Sequence, residues 1–127
     1  MWQVETTSIY KKCVKKQGID KRTLEFINSW AKTAELQPTD ASKPVRKHEL
    51  FQIWKVRIPN IGSNKGKRGG YRLTCFLVFS QQTLYLESID SRKSLGGKHE
   101  NPKLQQNYEE YLDSLYNQLC KELSELS

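Results

Sequence analysis

The sequence LFQIWKVRIPNIGSNKGKRGGYRLTCFLVFSQQTLYLESI, residues 50–89, contains three segments with the composition of β-strands. Residues 50–58 are rich in Phe, Ile, Val and Trp, and residues 71–79 are almost continuously apolar. A short polar turn separates them from a third segment, residues 83–89. Because these connections are too short for a parallel crossover, we expect three antiparallel strands with residues 71–79 in the centre.

The residues before this region predict one more strand and two helices. Residues 2–6 alternate apolar and polar side chains, as a half-buried strand does. Ser8 is a candidate N-cap of a first helix, in which Ile9 and Cys13 share a face and which Gly18 ends. Asp20 is a candidate N-cap of a second helix.

Apolar side chains recur at helical spacing in two further stretches. The second helix has a stripe made by Leu24, Ile27, Ala31 and Ala34. Asn101 and Pro102 suit the start of a last helix, whose apolar positions are Leu104, Tyr108, Tyr111, Leu115, Leu119, Leu123 and Leu126. At 1.5 Å per residue this helix reaches about 35 Å. Its far end therefore either frays or offers Leu119, Cys120, Leu123 and Leu126 to a partner.

The predicted order β-α-α-β-β-β-α is that of an α+β domain. We expect an N-terminal helical hairpin and a long C-terminal helix on a small antiparallel sheet, with residues 1–127 as one domain. The chain has no apolar run of the roughly 18 residues that a membrane helix needs, and no apolar stretch of a signal peptide at its start. Three widely spaced cysteines predict free thiols. A cytoplasmic protein with no membrane contact is expected.

Positive charge is concentrated in the middle of the chain. The net charge is +7, and residues 43–72 alone carry nine basic residues and one acidic residue. Such a block suits a polyanion, either nucleic acid or an acidic partner protein, although a solvated basic surface has the same composition. His48 and His99 lack metal ligands at suitable spacing, and residues 62–68 lack the phosphate-binding loop motif. No metal and no cofactor are expected.

Cations on the predicted strands form the strongest candidate site. Lys55 and Arg57 share one side of their strand because side chains alternate between the two faces. Arg72 begins the next strand, and Arg92 and Lys93 follow the last one. The antiparallel meander brings these positions onto one sheet.

A set of cations without carboxylates or metal ligands suits RNA cleavage. RNA carries its own nucleophile, the 2′-hydroxyl, so the protein has to position it, take its proton, stabilise the added charge and protonate the leaving oxygen. Arginine can hold phosphate oxygens bidentately, and a lysine with a lowered pKa can act as the base. Tyr71 or Trp54 can stack on bases. The same cations can also simply bind phosphate or the carboxylates of a protein.

The ordered motifs Lys55-Val56-Arg57, Gly66-Lys67-Arg68-Gly69-Gly70 and Gly70-Tyr71-Arg72 resemble the RelE/ParE superfamily of bacterial toxins, most closely its HigB-like branch. The predicted element order is similar to the fold of that superfamily. The resemblance implies a toxin of a type II toxin–antitoxin system that cleaves mRNA, usually on the ribosome. It also implies a cognate antitoxin as partner, with operator DNA contacted only through that antitoxin.

The resemblance also implies roles for individual residues. Lys55 matches a candidate general base, Arg57 a second basic strand position, and Arg72 the arginine that stabilises the phosphate in the transition state. Arg92 matches a candidate acid or phosphate ligand. RNA contacts are expected from the basic loop and its surroundings, at Lys65, Lys67, Arg68, Tyr71, Lys93 and His99.

Two alternatives stay open because the motif is incomplete. Ile53 stands where some members have another lysine, and no tyrosine follows Arg92, where certain members use one. His99 is a candidate substitute for that tyrosine. The alternatives are a ParE-like toxin that inhibits DNA gyrase and a non-catalytic member that binds RNA or protein.

Overall fold

A computed structural model describes residues 2–33, 44–61, 70–91 and 102–125. These residues form the strands β1 (Gln3–Thr6), β2 (Arg46–Lys47), β3 (Phe51–Ile58), β4 (Tyr71–Val78) and β5 (Thr83–Ser91), and the helices α1 (Ser8–Gln17), α2 (Lys21–Thr33) and α3 (Pro102–Glu125). The chain divides into two compact units, Met1–Ser91 and Arg92–Ser127. The architecture is α+β, as the sequence predicts.

The five strands form one mixed sheet in the order β1-β5-β4-β3-β2. The predicted antiparallel meander β3-β4-β5 is confirmed, and the apolar strand β4 is central. β1, however, pairs in parallel with β5, so the sheet is not wholly antiparallel. The reason is that α1 and α2 separate β1 from the other strands, which gives a connection long enough for parallel pairing. β2, a strand of two residues that the sequence does not predict, pairs antiparallel with β3 at the edge of the sheet.

One residue of β5 falls outside the strand pairing. Leu86 pairs with Cys75 and Ser88 pairs with Thr74, so Glu87 is the extra residue at the register shift between Thr74 and Cys75. An extra residue of this kind is a β-bulge, and it reverses the face on which each later side chain of the strand lies.

The N-cap of α1 lies one residue earlier than the sequence predicts. The N-cap is Thr7, whose hydroxyl oxygen accepts a hydrogen bond from the backbone N of Tyr10 at 3.1 Å, and Ser8 is already helical. Gly18 ends the helix in the left-handed conformation with φ 59°, as expected. Ile9 is 46% exposed and Tyr10 is buried instead, so the predicted apolar face of α1 is rotated by one position.

The capping prediction for α2 is confirmed. Asp20 Oδ2 accepts a hydrogen bond from the backbone N of Thr23 at 3.2 Å. The fully buried Thr23 donates its hydroxyl to Asp20 Oδ1 at 2.6 Å and accepts a bond from the backbone N of Ile61 at 3.2 Å. Thr23 at the start of α2 therefore fixes the backbone at Ile61, shortly after the end of β3.

α1 and α2 cover one face of the sheet. Ile27 and Ala31 of the predicted α2 stripe are fully buried there, while Ala34 lies outside the described residues. The strand residues in this core are Trp54, Val56, Ile58, Tyr71, Leu73, Cys75, Leu77, Leu84, Leu86 and Ile89. All three cysteines are free thiols, as predicted.

The other face of the sheet is apolar at one end of β3 and β4 and cationic at the other end. Phe51 and Ile53 are fully buried on β3, opposite Val78 and Phe76 of β4. Further along the same face, the positions become cationic. This polar end of the face contains the candidate site.

The described part of the second unit is the 24-residue helix α3. Its buried residues are Tyr108, Leu112, Leu115, Leu119 and Leu123, which follow the predicted periodicity with Leu112 added. Leu119 and Leu123 are buried and Cys120 is half-buried, and the hypothesis that these residues meet a partner stays a prediction. Leu126 lies outside the described residues. Among the described helices, none combines the length and apolarity that a membrane span requires.

Candidate functional site

Three of the predicted cations lie together on one face of the sheet, and we call them the sheet cations: Lys55, Arg57 and Arg72. Arg57 and Arg72 are directly opposite each other on β3 and β4. Lys55 lies two residues before Arg57, on the same face, opposite Thr74. Directly opposite Cβ atoms are about 4.5–5.5 Å apart, and like charges in such positions destabilise a sheet. A negatively charged group near the Arg57–Arg72 pair, from the chain or from a ligand, offsets this repulsion.

The sheet cations differ in their access to solvent. Arg57 is exposed, whereas Lys55 and Arg72 are half-buried. Nη1 of Arg72 is fully covered. A ligand arriving from solvent can therefore reach Arg57 freely and Arg72 at its exposed edge. Partial burial strengthens the attraction between these groups and a phosphate because the local dielectric constant is lower than in water.

Asp90 is a member of the site that the sequence reasoning missed. It lies directly opposite Arg72 on β5, so the expectation of cations without a carboxylate is wrong. The physical reason is the bulge at Glu87, since strict alternation along β5 places Asp90 on the helix-covered face. Burial raises the pKa of Asp90, while Lys16, the hydrogen bond from Gln17 and Arg72 act in the opposite direction.

Gln17, the last residue of α1, holds the end of β5. Its Nε2 donates to Asp90 Oδ1 at 3.0 Å and to the carbonyl oxygen of Ile89 at 3.3 Å. Its Oε1 accepts a hydrogen bond from the backbone N of Ser91 at 3.1 Å. β1 pairs with β5 only as far as Leu86, and Gln17 supplies hydrogen-bond partners to the backbone of β5 beyond that point. These hydrogen bonds set the position of Asp90. The sequence of α1, which is rich in lysine, contains no pattern that predicts them.

The aromatic residues expected to stack on bases lie elsewhere. Tyr71 is 7% exposed and Trp54 is 3% exposed, and both belong to the core under α1 and α2. Each is next to a sheet cation in sequence and therefore points to the opposite face. The alternation of side chains along a strand predicts this placement of Tyr71 and Trp54 from the sequence. Burial, with a smaller contribution from Asp20, raises the pKa of Tyr71. The position of Tyr71 therefore does not agree with the predicted RNA contact.

The remaining predicted site residues lie outside the described part of the chain. They are Arg92, Lys65, Lys67, Arg68, Lys93 and His99. Their roles stay predictions. Among the described residues, no group of three or more side chains is arranged as a metal site.

The site can bind an anion that offers several oxygens. Two guanidinium groups and an ammonium group supply donors from adjacent positions, and one carboxyl offsets part of their charge. The sequence matches neither a protein-family model nor a curated protein. Membership of the RelE/ParE superfamily therefore stays a resemblance.

Proposed function

We propose that the chain is a toxin of the RelE/ParE type that cleaves mRNA without a metal ion. The observation that carries this proposal is the directly opposed pair Arg57 and Arg72 with Lys55 on the same face. Three cations at adjacent positions on paired strands suit a phosphodiester, whose developing negative charge is spread over several oxygens. The inhibitor is then a cognate antitoxin, the substrate mRNA on the ribosome, and the location the cytoplasm.

The proposed reaction uses the nucleophile of the RNA itself. Lys55 takes the proton of the 2′-hydroxyl, the 2′-oxygen forms a bond to phosphorus, and the bond to the 5′-oxygen breaks. Arg57 and Arg72 stabilise the added charge on the phosphate oxygens. Protonation of the 5′-oxygen falls to Arg92 by resemblance. The products are a 2′,3′-cyclic phosphate and a 5′-hydroxyl end.

Neutral substitution of the sheet cations tests this proposal. Loss of a group that stabilises the transition state lowers kcat by about 10²–10³, so we expect this fall in Arg72→Ala. The measurement is cleavage of mRNA, free and in a programmed ribosome, in the presence of EDTA. Growth arrest on expression without an antitoxin should be lost in parallel.

Lys47→Ala provides the matched control. Lys47 is exposed on β2 and pairs with Gln52, so it lies on the opposite face from Lys55 although it belongs to the same basic segment. We expect its cleavage rate to equal that of the wild type. Cleavage that survives Lys55→Ala combined with Arg72→Ala would show that the site is elsewhere.

One observation favours a non-catalytic member of the fold as the second candidate. Tyr71 and Trp54 are buried in the core, so neither is placed to stack on the bases beside the sheet cations. A protein of this kind binds RNA with a steep dependence on salt concentration but leaves it intact. The same assays distinguish the two candidates.

A further inference from the structure

A second group of cations surrounds the junction of α1 and α2. Between Ser8 and Arg22 the chain has six basic residues and a single acidic one, Asp20. All six basic side chains are exposed, and we call them the helix cations: Lys11, Lys12, Lys15, Lys16, Lys21 and Arg22. They lie outside the basic segment from which the sheet cations come.

The four lysines of α1 form one continuous surface. At about 100° per residue they occupy roughly 140° of the helix circumference. The side of the helix opposite their centre contains Tyr10, which is buried against the sheet, and Gln17, which is bonded to β5. The lysines therefore all face solvent on the outer side of α1.

The charges at the start of α2 oppose the stability of that helix. Lys21 and Arg22 occupy its first turn, and no acidic residue is present there. Cations at a helix N-terminus are repelled by the helix dipole. The carboxylate of Asp20, which caps this helix, offsets the repulsion in part.

Asp90 links the helix cations to the sheet cations. Lys16 of α1 and Arg72 of β4 both interact electrostatically with its carboxyl group. Gln17, adjacent to Lys16, contacts the same carboxyl through a hydrogen bond of 3.0 Å. Lys16 is thus the helix cation that approaches the sheet cations, through this carboxyl. The other lysines of α1 lie across the sheet from the sheet cations, so one anionic chain contacts both groups by passing round the edge of β5.

We propose that the helix cations bind the phosphate backbone of an RNA strand that continues round the edge of β5 from the phosphate held by the sheet cations. The inference rests on the proposed function for the identity of the ligand. Lysines contact phosphates as point charges without reading the bases. Protein interfaces are depleted of lysine and have an apolar centre, whereas Ile9 is the only large apolar side chain of α1 that is exposed. RNA therefore fits this surface better than an acidic protein.

The test uses RNA that cannot be cleaved, so that binding is read independently of catalysis. The probes are fluorescent 2′-O-methyl oligonucleotides of about 16 and about four nucleotides, titrated at several KCl concentrations. For single strands, log K falls with log salt with a slope of about 0.7 per phosphate contact. We expect Lys12→Gln combined with Lys15→Gln to reduce the slope for the long probe by about 1.4 and to leave the short probe unchanged.

Lys32→Gln combined with Lys47→Gln is the matched control. Both lysines are exposed, and the change in net charge is the same, but Lys32 is in the last turn of α2 and Lys47 is on the far edge strand. We expect this variant to keep the wild-type slope. An equal loss in both double variants would overturn the proposal because it would report net charge only.

The remaining outcomes separate this inference from the proposed function. An unchanged slope in the α1 variant, with cleavage still dependent on Arg72, would overturn only the inference. A reduced slope in a protein that does not cleave RNA would support the inference and reject catalysis. Loss of binding to a polyglutamate peptide without any effect on RNA would overturn the inference in favour of a protein partner.

Discussion

At the scale of single residues, the candidate site is a balance of repulsion and partial neutralisation. Arg57 and Arg72 repel each other across β3 and β4, and Asp90 faces Arg72 from the other side. Burial works against the charge of Asp90 and raises its pKa. Asp90 neutralises only part of the positive charge of the two arginines, and the oxygens of a bound phosphate neutralise more of it. The site is therefore expected to be more stable with an anion bound than without one.

The raised pKa of Asp90 predicts a pH-dependent effect on stability. A carboxyl whose pKa is higher in the folded than in the unfolded state stabilises the fold while protonated, and that stability is lost as pH rises through the folded pKa. Asp90→Asn cannot ionise, so it avoids this loss of stability at high pH. Its side-chain oxygen still accepts the hydrogen bond from Gln17. We expect the variant to be more stable than the wild type at pH 7 and the difference to shrink below the ordinary Asp pKa of 3.8.

Urea unfolding of both proteins across this pH range measures the effect. Glu25→Gln on the exposed side of α2 is the control and should leave stability nearly unchanged at every pH. A lower stability of Asp90→Asn at pH 7 would show that attraction to Lys16 and Arg72 outweighs burial.

At the scale of elements, the ends of α1 and α2 follow ordinary local rules. Gly18 adopts a φ of 59°, where a side chain is strained, and a Cβ at this position meets no atom within 4 Å. Gly18→Ala should therefore destabilise the protein by about 1–2 kcal/mol through the backbone alone. Gly18→Asn should cost less because Asn tolerates the left-handed conformation.

Thermal or urea unfolding of the two Gly18 variants checks the ranking. Equal stability losses in both would mean that the conformation of the backbone is not the cause. The comparison also examines the junction that carries the helix cations, because Gly18 connects α1 to α2.

How far the sequence predicts each element depends on whether its signals are local. The apolar run of β4 predicted a central strand, and Ile27 and Ala31 predicted the buried side of α2, because burial leaves a direct pattern in the residues. Asp20 was recognisable because a cap needs only nearby partners. The partner of β1 was not predictable, since a four-residue strand contains no information on which edge it joins.

The candidate site was only partly predictable for the same reason. Lys55, Arg57 and Arg72 were found because alternation and strand order are local rules. Asp90 was missed because a bulge leaves no recognisable signal in the sequence of β5. The hydrogen bonds of Gln17 join residues more than seventy positions apart, which no local pattern encodes.

At the scale of the whole molecule, Cys75 reports on the opening of the first unit. It lies on the central strand, is fully buried, and has a pKa that burial raises to about 12. Its thiol should react only when the sheet unfolds, so labelling should be at least about a thousandfold slower than in the unfolded chain. Cys13 on α1 is half-buried and should react much sooner.

Alkylation followed by mass spectrometry measures both rates across a urea series. The free energy derived from Cys75 should equal that of global unfolding, and Gly18→Ala should lower it by the same amount as in the unfolding experiment. Labelling of Cys75 as fast as that of Cys13 would show that β4 opens without unfolding of the rest.

The bulge in β5 also determines which changes in chain length the site tolerates. Deletion of Glu87 leaves Leu86 and Ser88 adjacent, which restores regular alternation and keeps Asp90 opposite Arg72. The loss is local and includes the bond that the Thr7 hydroxyl donates to the carbonyl of Glu87. A deletion at 88 or 89 that leaves the bulge in place instead turns Asp90 to the other face. A chain one residue shorter at position 87 can therefore keep Asp90 opposite Arg72, although it loses this bond to Thr7.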